Sequence, residues 1–470
     1  MHKEFNSKDQ QQFAILSGDY NPMHVDALYA RRAMFGSQVV HGINILLWTL
    51  DSWSRLRELD FSLTNLKVSF KKAVTIDTKI EVRVIREEER SVKMEVFDAG
   101  NVAMKVDFKW ESGKSNLLYE KTNPNQDISK QIEEGDILNA KGALNVFCNP
   151  ILFEEIYPSL NRYASVNQFA SIIGSSKIIG MECPGLHSVY SSLNVEFNKI
   201  DALDQKLSYS VASFDERFNM VGIEASSNLM KMDILAFQRP KPFVQEKYEQ
   251  VKQQVSDNDF QEVKALVVGG SRGVGEITAK LLAAGGAEVT ITYYKGESDA
   301  SKIVDEVIRL GGSIKMLKLN VLEKDFSIST LESLNIGYTH LYYFATPFIF
   351  SASKKKFSGK LFNKFNDYYI NGFYNLISQM KQESLKAVLY PSTVALDEAP
   401  QEMKEYVLSK LAGEQLCEFL EKEMKGIVVY KPRLPRLATD QTMTLSYVEN
   451  KNTLPEMLNH IKELNNLLKN

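Results

Sequence analysis

The sequence predicts an α+β module in which one helix-plus-antiparallel-sheet pattern is written twice, followed by an α/β domain with a doubly wound parallel sheet. Three observations carry this. Apolar residues alternate with polar ones through residues 80–108, a strand framework recurs at a fixed offset within the first 238 residues, and beyond residue 262 short apolar runs alternate with helical stretches. At roughly 100–200 residues per domain, a chain of 470 residues suits about two to four domains.

The elements follow in chain order. Ile43, Leu46, Leu47, Leu50 and Trp53 fall at helical spacing, so residues 43–56 are expected to form a mostly apolar helix. Ile80, Val82 and Val84, then Val92, Met94 and Val96, then Val102, Met104, Val106 and Phe108 alternate at period two, broken by a charged turn and by Ala99-Gly100-Asn101. That is an antiparallel meander with one buried face. LKVSFKK at 66–72 and LNVEFNK at 193–199 share a framework 127 apart (193 minus 66), and IDTKI at 76–80 and LDQKL at 203–207 keep that offset (203 minus 76). It carries the helix 43–56 onto 170–183, so residues 1–120 and 138–238 are expected to be two copies of one unit. Residues 239–262, with two prolines and a polar run, read as a linker. KALVVGG, AEVTITYY, THLYYFAT, KAVLYPST and GIVVYKPR, separated by helical stretches such as 273–284 and 402–424, make 263–470 the doubly wound domain.

Charge and cysteine content narrow the function classes. Lys plus Arg (56) against Asp plus Glu (59) leaves a net charge of -3, so no global field favours nucleic acid or an anionic membrane. Cys148, Cys183 and Cys417 are widely separated and form no CxxC, which suggests no zinc or other metal site and no disulfide framework. The N-terminus lacks the apolar run of a signal peptide and no stretch approaches about 20 apolar residues, so a cytoplasmic protein is expected.

Residues 13–42 carry the first chemical constellation. Asp19 and His24 lie five apart around a Gly-Asp-x-Asn-Pro turn, able to hold a carboxylate and an imidazole over one water. Gly42 opens the apolar helix, where its N–H suits a developing enolate oxygen. Taken singly, Asp19 and Asn21 fit plain turn chemistry, and a structural role is expected for His41. The full string SGDYNPMHVD followed by VVHG resembles the signature of MaoC-like, (R)-specific enoyl-thioester hydratases of the hot-dog fold. The resemblance implies a double hot-dog module in which Asp19 and His24 are the catalytic pair and Asn21 and Gly42 order the site. In the second copy Gln168 stands at the place of His41 and no GDxNPxH string occurs, so that copy is expected to be non-catalytic.

The second constellation follows the strand KALVV. In GGSRGVGE, Gly269, Gly273 and Gly275, with Ser271 and Val274 between them, form a glycine-rich turn ahead of a helix, suited to a pyrophosphate. An acidic residue about 20 positions onward would mark NAD, whereas Lys295 stands there and Arg272 lies in the loop, favouring a 2′-phosphate and NADP. Tyr406 and Lys410, four apart in EYVLSK, share one helix face. The set resembles short-chain dehydrogenase/reductases, a Rossmann-type family. That resemblance implies Tyr406 as acid, Lys410 as the residue that holds the cofactor ribose and tunes Tyr406, Asn371 as an ordering asparagine, and Ser392 or Thr393 as the substrate-orienting hydroxyl, with Ser392 preferred. Two stretches depart from the family pattern: Tyr343-Phe344-Ala345-Thr346 and Pro432-Arg433.

Together the two resemblances imply a bifunctional enzyme. It would reduce a 3-oxoacyl thioester, on coenzyme A or an acyl-carrier protein, with NADPH and dehydrate the (3R)-hydroxyacyl product. The same pair run in the degradative direction, or an acyl-thioester-binding scaffold without turnover, are the alternatives. A homodimer through the reductase face is open to it.

Overall fold

The structure, a computed structural model, describes residues 1–119, 126–200, 202–350, 357–445 and 448–469; the expected domain ends at 120 and 470 lie outside them. The chain divides into two compact units, Met1–Lys241 and Pro242–Met443 with Val448–Asn470.

The first unit is built on strands β1 (His2–Glu4), β2 (Phe61–Phe70), β3 (Lys79–Glu88), β4 (Ser91–Asp98), β5 (Asn101–Ser112), β6 (Lys141–Asn145), β7 (Ser188–Phe197), β8 (Lys206–Asp215), β9 (Met220–Ser226) and β10 (Met230–Gln238). They form one sheet in the order β1-β3-β4-β5-β2-β7-β10-β9-β8-β6. At its centre β2 pairs antiparallel with β7, with Leu66 opposite Val195, Lys67 opposite Asn194 and Val68 opposite Leu193. Because Lys67 and Asn194 are themselves 127 apart, the two copies meet as the protomers of a twofold dimer would, equivalent residue against equivalent residue. The predicted meander forms β3 to β5, turning at Ala99 (φ 47°) and Gly100 (φ 82°). Val84 and the half-buried Val102 are the exceptions to its buried face. A register shift between Val84 and Arg86 turns the end of β3 outward, leaving Val84 exposed.

Each half-sheet wraps a helix. Gly42–Arg57 buries Ile43, Leu46, Leu47, Leu50 and Trp53. Its counterpart is Val166–Lys177, which continues as a π-helical turn, Ile178–Glu182. Gln168 clamps the strand bulge of β2, exchanging hydrogen bonds of 2.8 Å with both the N–H and the C=O of Leu63.

The second unit has a parallel sheet of β11 (Lys264–Val268), β12 (Glu288–Tyr293), β13 (Ile314–Lys318), β14 (His340–Tyr343), β15 (Ala387–Leu389) and, after the short β16 (Ser392–Thr393), β17 (Val428–Tyr430). The order β13-β12-β11-β14-β15-β17 reverses direction between β11 and β14, so a crevice opens beyond their C-terminal ends. Apolar side chains cover both faces. Ile277, Leu281, Met457 and Ile461 come from helices on one side, and Phe373, Leu376, Cys417 and Leu420 from helices on the other. The glycine-turn helix spans Gly273–Ala284 and the helix of the Tyr-x-x-x-Lys pair Lys404–Glu423.

Two expectations change. Residues 239–262 are not a free linker, since Tyr248, Val251 and Phe260 are buried in the second unit's core. Phe260 packs against Gly285, where a Cβ would come within 2.3 Å of its ring. The polar run conceals three apolar anchors spaced too irregularly to read as an element. The sheet also has a sixth strand, β13, whose lysine-rich edge sequence IKMLK lacks the apolar run that marks its neighbours.

Candidate active sites

In the first unit the turn that follows helix Ser7–Ser17 closes at Gly18 (φ 71°) and delivers Asp19 into the interior. Asn21 caps the next short helix, accepting from Met23 N–H at 3.1 Å, and its amide donates to Gly180 O at 2.9 Å and Gly185 O at 3.1 Å. The turn of the first copy is thereby tied to the second.

Asp19 is 2 % exposed. Ser176 donates to its Oδ2 at 2.7 Å, and Gly180 lies so close that a Cβ there would stand 2.1 Å from Oδ1. Neither residue was anticipated. The offset places Gly180 opposite Trp53, so the second copy has exchanged a core indole for the space the Asp19 carboxyl fills. A glycine inside a predicted apolar helix was the available signal.

The His24 ring stacks on His41 with centroids 3.9 Å apart, and its Nδ1 lies 2.6 Å from Val39 O. With Nδ1–H committed to that carbonyl, Nε2 is left as an acceptor. His41 is wholly buried, its Nδ1 3.0 Å from Gln10 Oε1 and its Nε2 3.1 Å from Asp19 O, which is the structural placement expected of it. Burial raises the Asp19 carboxyl above its ordinary range, opposed by His24 and by the Ser176 hydrogen bond. Burial lowers His24, opposed by Asp19. The pair is therefore tuned toward a carboxylate and a neutral imidazole whose proton affinities approach one another. Gly42 begins its helix beneath the ring of Phe70, 2.8 Å from where a Cβ would project.

Asp19, His24 and His41 each offer a ligand atom within 4.8 Å of the others. Both nitrogens of His41 already face protein oxygens, so the arrangement suits proton transfer better than metal binding.

In the second unit the glycine turn leaves β11 with Gly269 at φ 77° and Gly273 at φ 56°. A Cβ on Gly275 would lie 2.3 Å from Gly269 O, so only glycine lets the helix start this close to the turn. Ser271 is buried within the turn and Val274 follows in the helix. Arg272 points to Asp440, with Nη1 to Oδ2 3.7 Å, while Lys295 is exposed two residues beyond β12, its ammonium 5.8 Å from the Tyr294 ring centroid. A cleft of about 370 Å³ opens at the ends of β12 and β13, lined by Tyr294, Lys318 and Asn320 among others.

Tyr406 and Lys410 are both buried on one helix face. Burial pushes the Tyr406 phenol up to about 12, opposed by the Thr393 hydroxyl that faces it. Lys410 Nζ donates to Pro391 O at 2.7 Å and lies 4.0 Å from the ring centroid of Tyr369 and 4.9 Å from that of Tyr390; burial brings its amine down to about 7.

Of the two candidate hydroxyls, Thr393 faces the phenol. Ser392 donates to Glu414, which Arg433 holds through two hydrogen bonds of 3.0 and 2.9 Å. The departure at Pro432-Arg433 explains this: Arg433 and Leu434 form β18, pairing with β16 in the register Ser392 to Arg433 and Thr393 to Leu434. Successive strand residues face opposite ways. Asn371 is likewise not brought to Tyr406. It is exposed, donating to Asp367 Oδ1 at 3.1 Å, because residues 367–372 form a π-helix that shifts the frame. Tyr369 occupies the inner position, bonded to Thr346 Oγ1 at 2.6 Å, a contact no motif announced.

Residues 2–106 match the MaoC like domain family. The chain is 32% identical over 95 residues to cyclohexanol dehydrogenase of Acinetobacter sp., spanning 19% of this chain and 38% of that protein. It is 41% identical over 61 residues to a 3-oxoacyl-[acyl-carrier-protein] reductase of Synechocystis sp., spanning 13% of this chain and 25% of that one. The matches thus span well under half the length of these relatives. A solved short chain dehydrogenase of Burkholderia cenocepacia, in complex with NADP, covers 44% of this chain and 92% of its own at 19% identity and a TM-score of 0.38. With these matches the chain is identified as one that carries a MaoC-like domain at its N-terminus together with a region related to the short-chain dehydrogenases/reductases.

Proposed function

We propose that this protein is a bifunctional enzyme that reduces a 3-oxoacyl thioester to the (3R)-hydroxyacyl thioester and dehydrates it to the trans-2-enoyl thioester. We read the first unit as a double hot-dog with one active site. The observation that carries the reading is the presence in one chain of two separate proton-transfer sets, Asp19 with the half-buried His24, and the buried Tyr406 with Thr393 and Lys410, each within its own unit.

In the first site Asp19 and His24 Nε2 hold one water. In the hydration direction its oxygen bonds to C3 as the pair carries a proton to C2, and dehydration reverses both transfers. The N–H of Gly42 at the helix start would steady the enolate oxygen. In the second site the glycine turn from Gly269 to Gly275 fits a dinucleotide pyrophosphate, with Lys295 and Arg272 as candidates for a 2′-phosphate and Lys410 for the ribose. Bound there, a reduced nicotinamide cofactor would supply the hydride that C3 accepts. Tyr406 then gives its proton to the carbonyl oxygen, Thr393 orients that oxygen, and Lys410 lies one helical turn away to assist the phenolate that remains. The pairing of Arg272 with Asp440 leaves Lys295 as the stronger support for NADPH over NADH.

Oxidation of NADPH by an acetoacetyl thioester should be lost in Tyr406→Phe, and hydration of a crotonyl thioester in Asp19→Asn. Unchanged turnover in either variant sinks the corresponding half of the proposal. A second reading, cofactor binding without reduction, draws on the outward turn of Asn371. Wild-type protein that binds NADPH but never oxidises it would favour that reading.

A further inference from the structure

Arg239 directly follows β10 with 2 % of its surface exposed. Its backbone N–H donates to His187 O at 2.7 Å, and Nη2 donates to Tyr29 Oη at 3.0 Å and Leu186 O at 2.8 Å. Nε and Nη1 are buried without a hydrogen-bond partner among the described residues, as are His187 Nδ1 and Gln238 Oε1 beside them. A guanidinium keeps its charge at any physiological pH and offers a planar fork of donors. Nη2 is engaged, but burying the charge with Nε–H and Nη1–H unmet is costly unless an anion accepts from them.

The place is adjacent to the proposed hydratase centre. Leu186 O, which Arg239 holds from one side, lies 3.4 Å from the amide of Asn21 on the other. Tyr29 belongs to the helix Ala27–Arg32, directly after the one that carries His24. The Arg239 charge is felt at His24 and at His187, whose imidazole is brought down to about 4 chiefly by burial. The nearby carboxylate Glu133 is exposed and bonded to Lys241 at 2.9 Å.

We propose that Arg239, with His187 and Tyr29, forms an oxyanion subsite beside Asp19 and His24 that receives a negatively charged oxygen group carried by the thioester substrate. The inference rests on reading the first unit as a thioester site. Carboxylate and phosphate share the required chemistry, one from the acyl chain and the other from the pantetheine carrier, since an oxygen of either accepts a charge-assisted hydrogen bond from a guanidinium N–H.

Calorimetric titration of the full chain with three saturated thioesters, none a substrate of either proposed reaction, separates the sources: butyryl-pantetheine, butyryl-coenzyme A and glutaryl-pantetheine. Wild-type protein should bind one of the anionic compounds at least about tenfold tighter than butyryl-pantetheine, and Arg239→Gln should remove that preference. A preference for butyryl-coenzyme A assigns the phosphate, one for glutaryl-pantetheine the acyl carboxylate. Equal affinity for all three in the wild type, or a preference that survives Arg239→Gln, overturns the proposal. Equal wild-type affinities overturn the proposal whether or not that variant folds, and Arg239→Lys, which keeps the charge, should retain part of any preference that Arg239→Gln removes. The hydratase reading fails separately, through crotonyl hydration that persists in Asp19→Asn.

Discussion

At the scale of single residues, the carboxyl of Asp19 is held by a hydroxyl and a missing side chain, both from the second copy. Gly180→Ala would drive a methyl into Asp19 Oδ1, where a Cβ has 2.1 Å, so crotonyl hydration should fall at least 100-fold, about 3 kcal/mol of transition-state stabilisation. Hydration within threefold of wild type would show that Asp19 is not the catalytic carboxyl. Ser176→Ala is gentler. Its hydroxyl stabilises the carboxylate, so removal raises the Asp19 pKa further and moves the acid limb of the hydration profile to higher pH. In the wild type that limb should lie above the ordinary aspartate value of 3.8, since burial raises Asp19. A limb at or below 3.8, or one that Ser176→Ala leaves in place, would contradict this pairing. Asp19, His24, Asn21 and Gly42 were legible because the turn and the helix start are local in sequence. Ser176 and Gly180 were not, because they meet Asp19 only through tertiary packing 157 and more residues away.

At the scale of elements, a two-residue strand decides which hydroxyl serves Tyr406. β16 turns Ser392 to Glu414 and Arg433 and Thr393 to the phenol, an alternation that motif spacing cannot resolve without the pairing of β18. Thr393→Val should lower acetoacetyl reduction at least about tenfold, the scale of a positioned hydrogen bond at the reacting oxygen. Ser392→Ala should leave it within about threefold while costing roughly 1 kcal/mol of stability for the lost hydrogen bond. The reverse ranking would return the role to Ser392. The helix Gly273–Ala284 matches its expected span, because glycine turn and apolar period agree there. Asn371 shows the limit. A π-helical turn inserts a frame shift that carries no sequence mark, and the inward position passes to Tyr369.

At the scale of the whole molecule, the fixed offset of 127 made the duplication legible, but its consequence emerges only from the β2–β7 register. The copies share one sheet whose central pairing is self-complementary, and their helices carry the apolar residues of one continuous core. A copy on its own would expose the β2 edge, Leu66 and Val68 included, and would leave Asp19 without Ser176 and Gly180. Under the proposed hydratase reading, the second copy would therefore contribute to catalysis by holding Asp19. The fragment 1–119 should then be inactive in crotonyl hydration and aggregation-prone, whereas 1–241, which retains both copies, should keep a cooperative thermal transition and hydrate the thioester at a rate comparable to the full chain. A fragment 1–119 that is monomeric and active would show that the second copy is dispensable. If the same fragment were active as a dimer instead, a second 1–119 chain would be standing in for the copy that the full-length protein carries within itself.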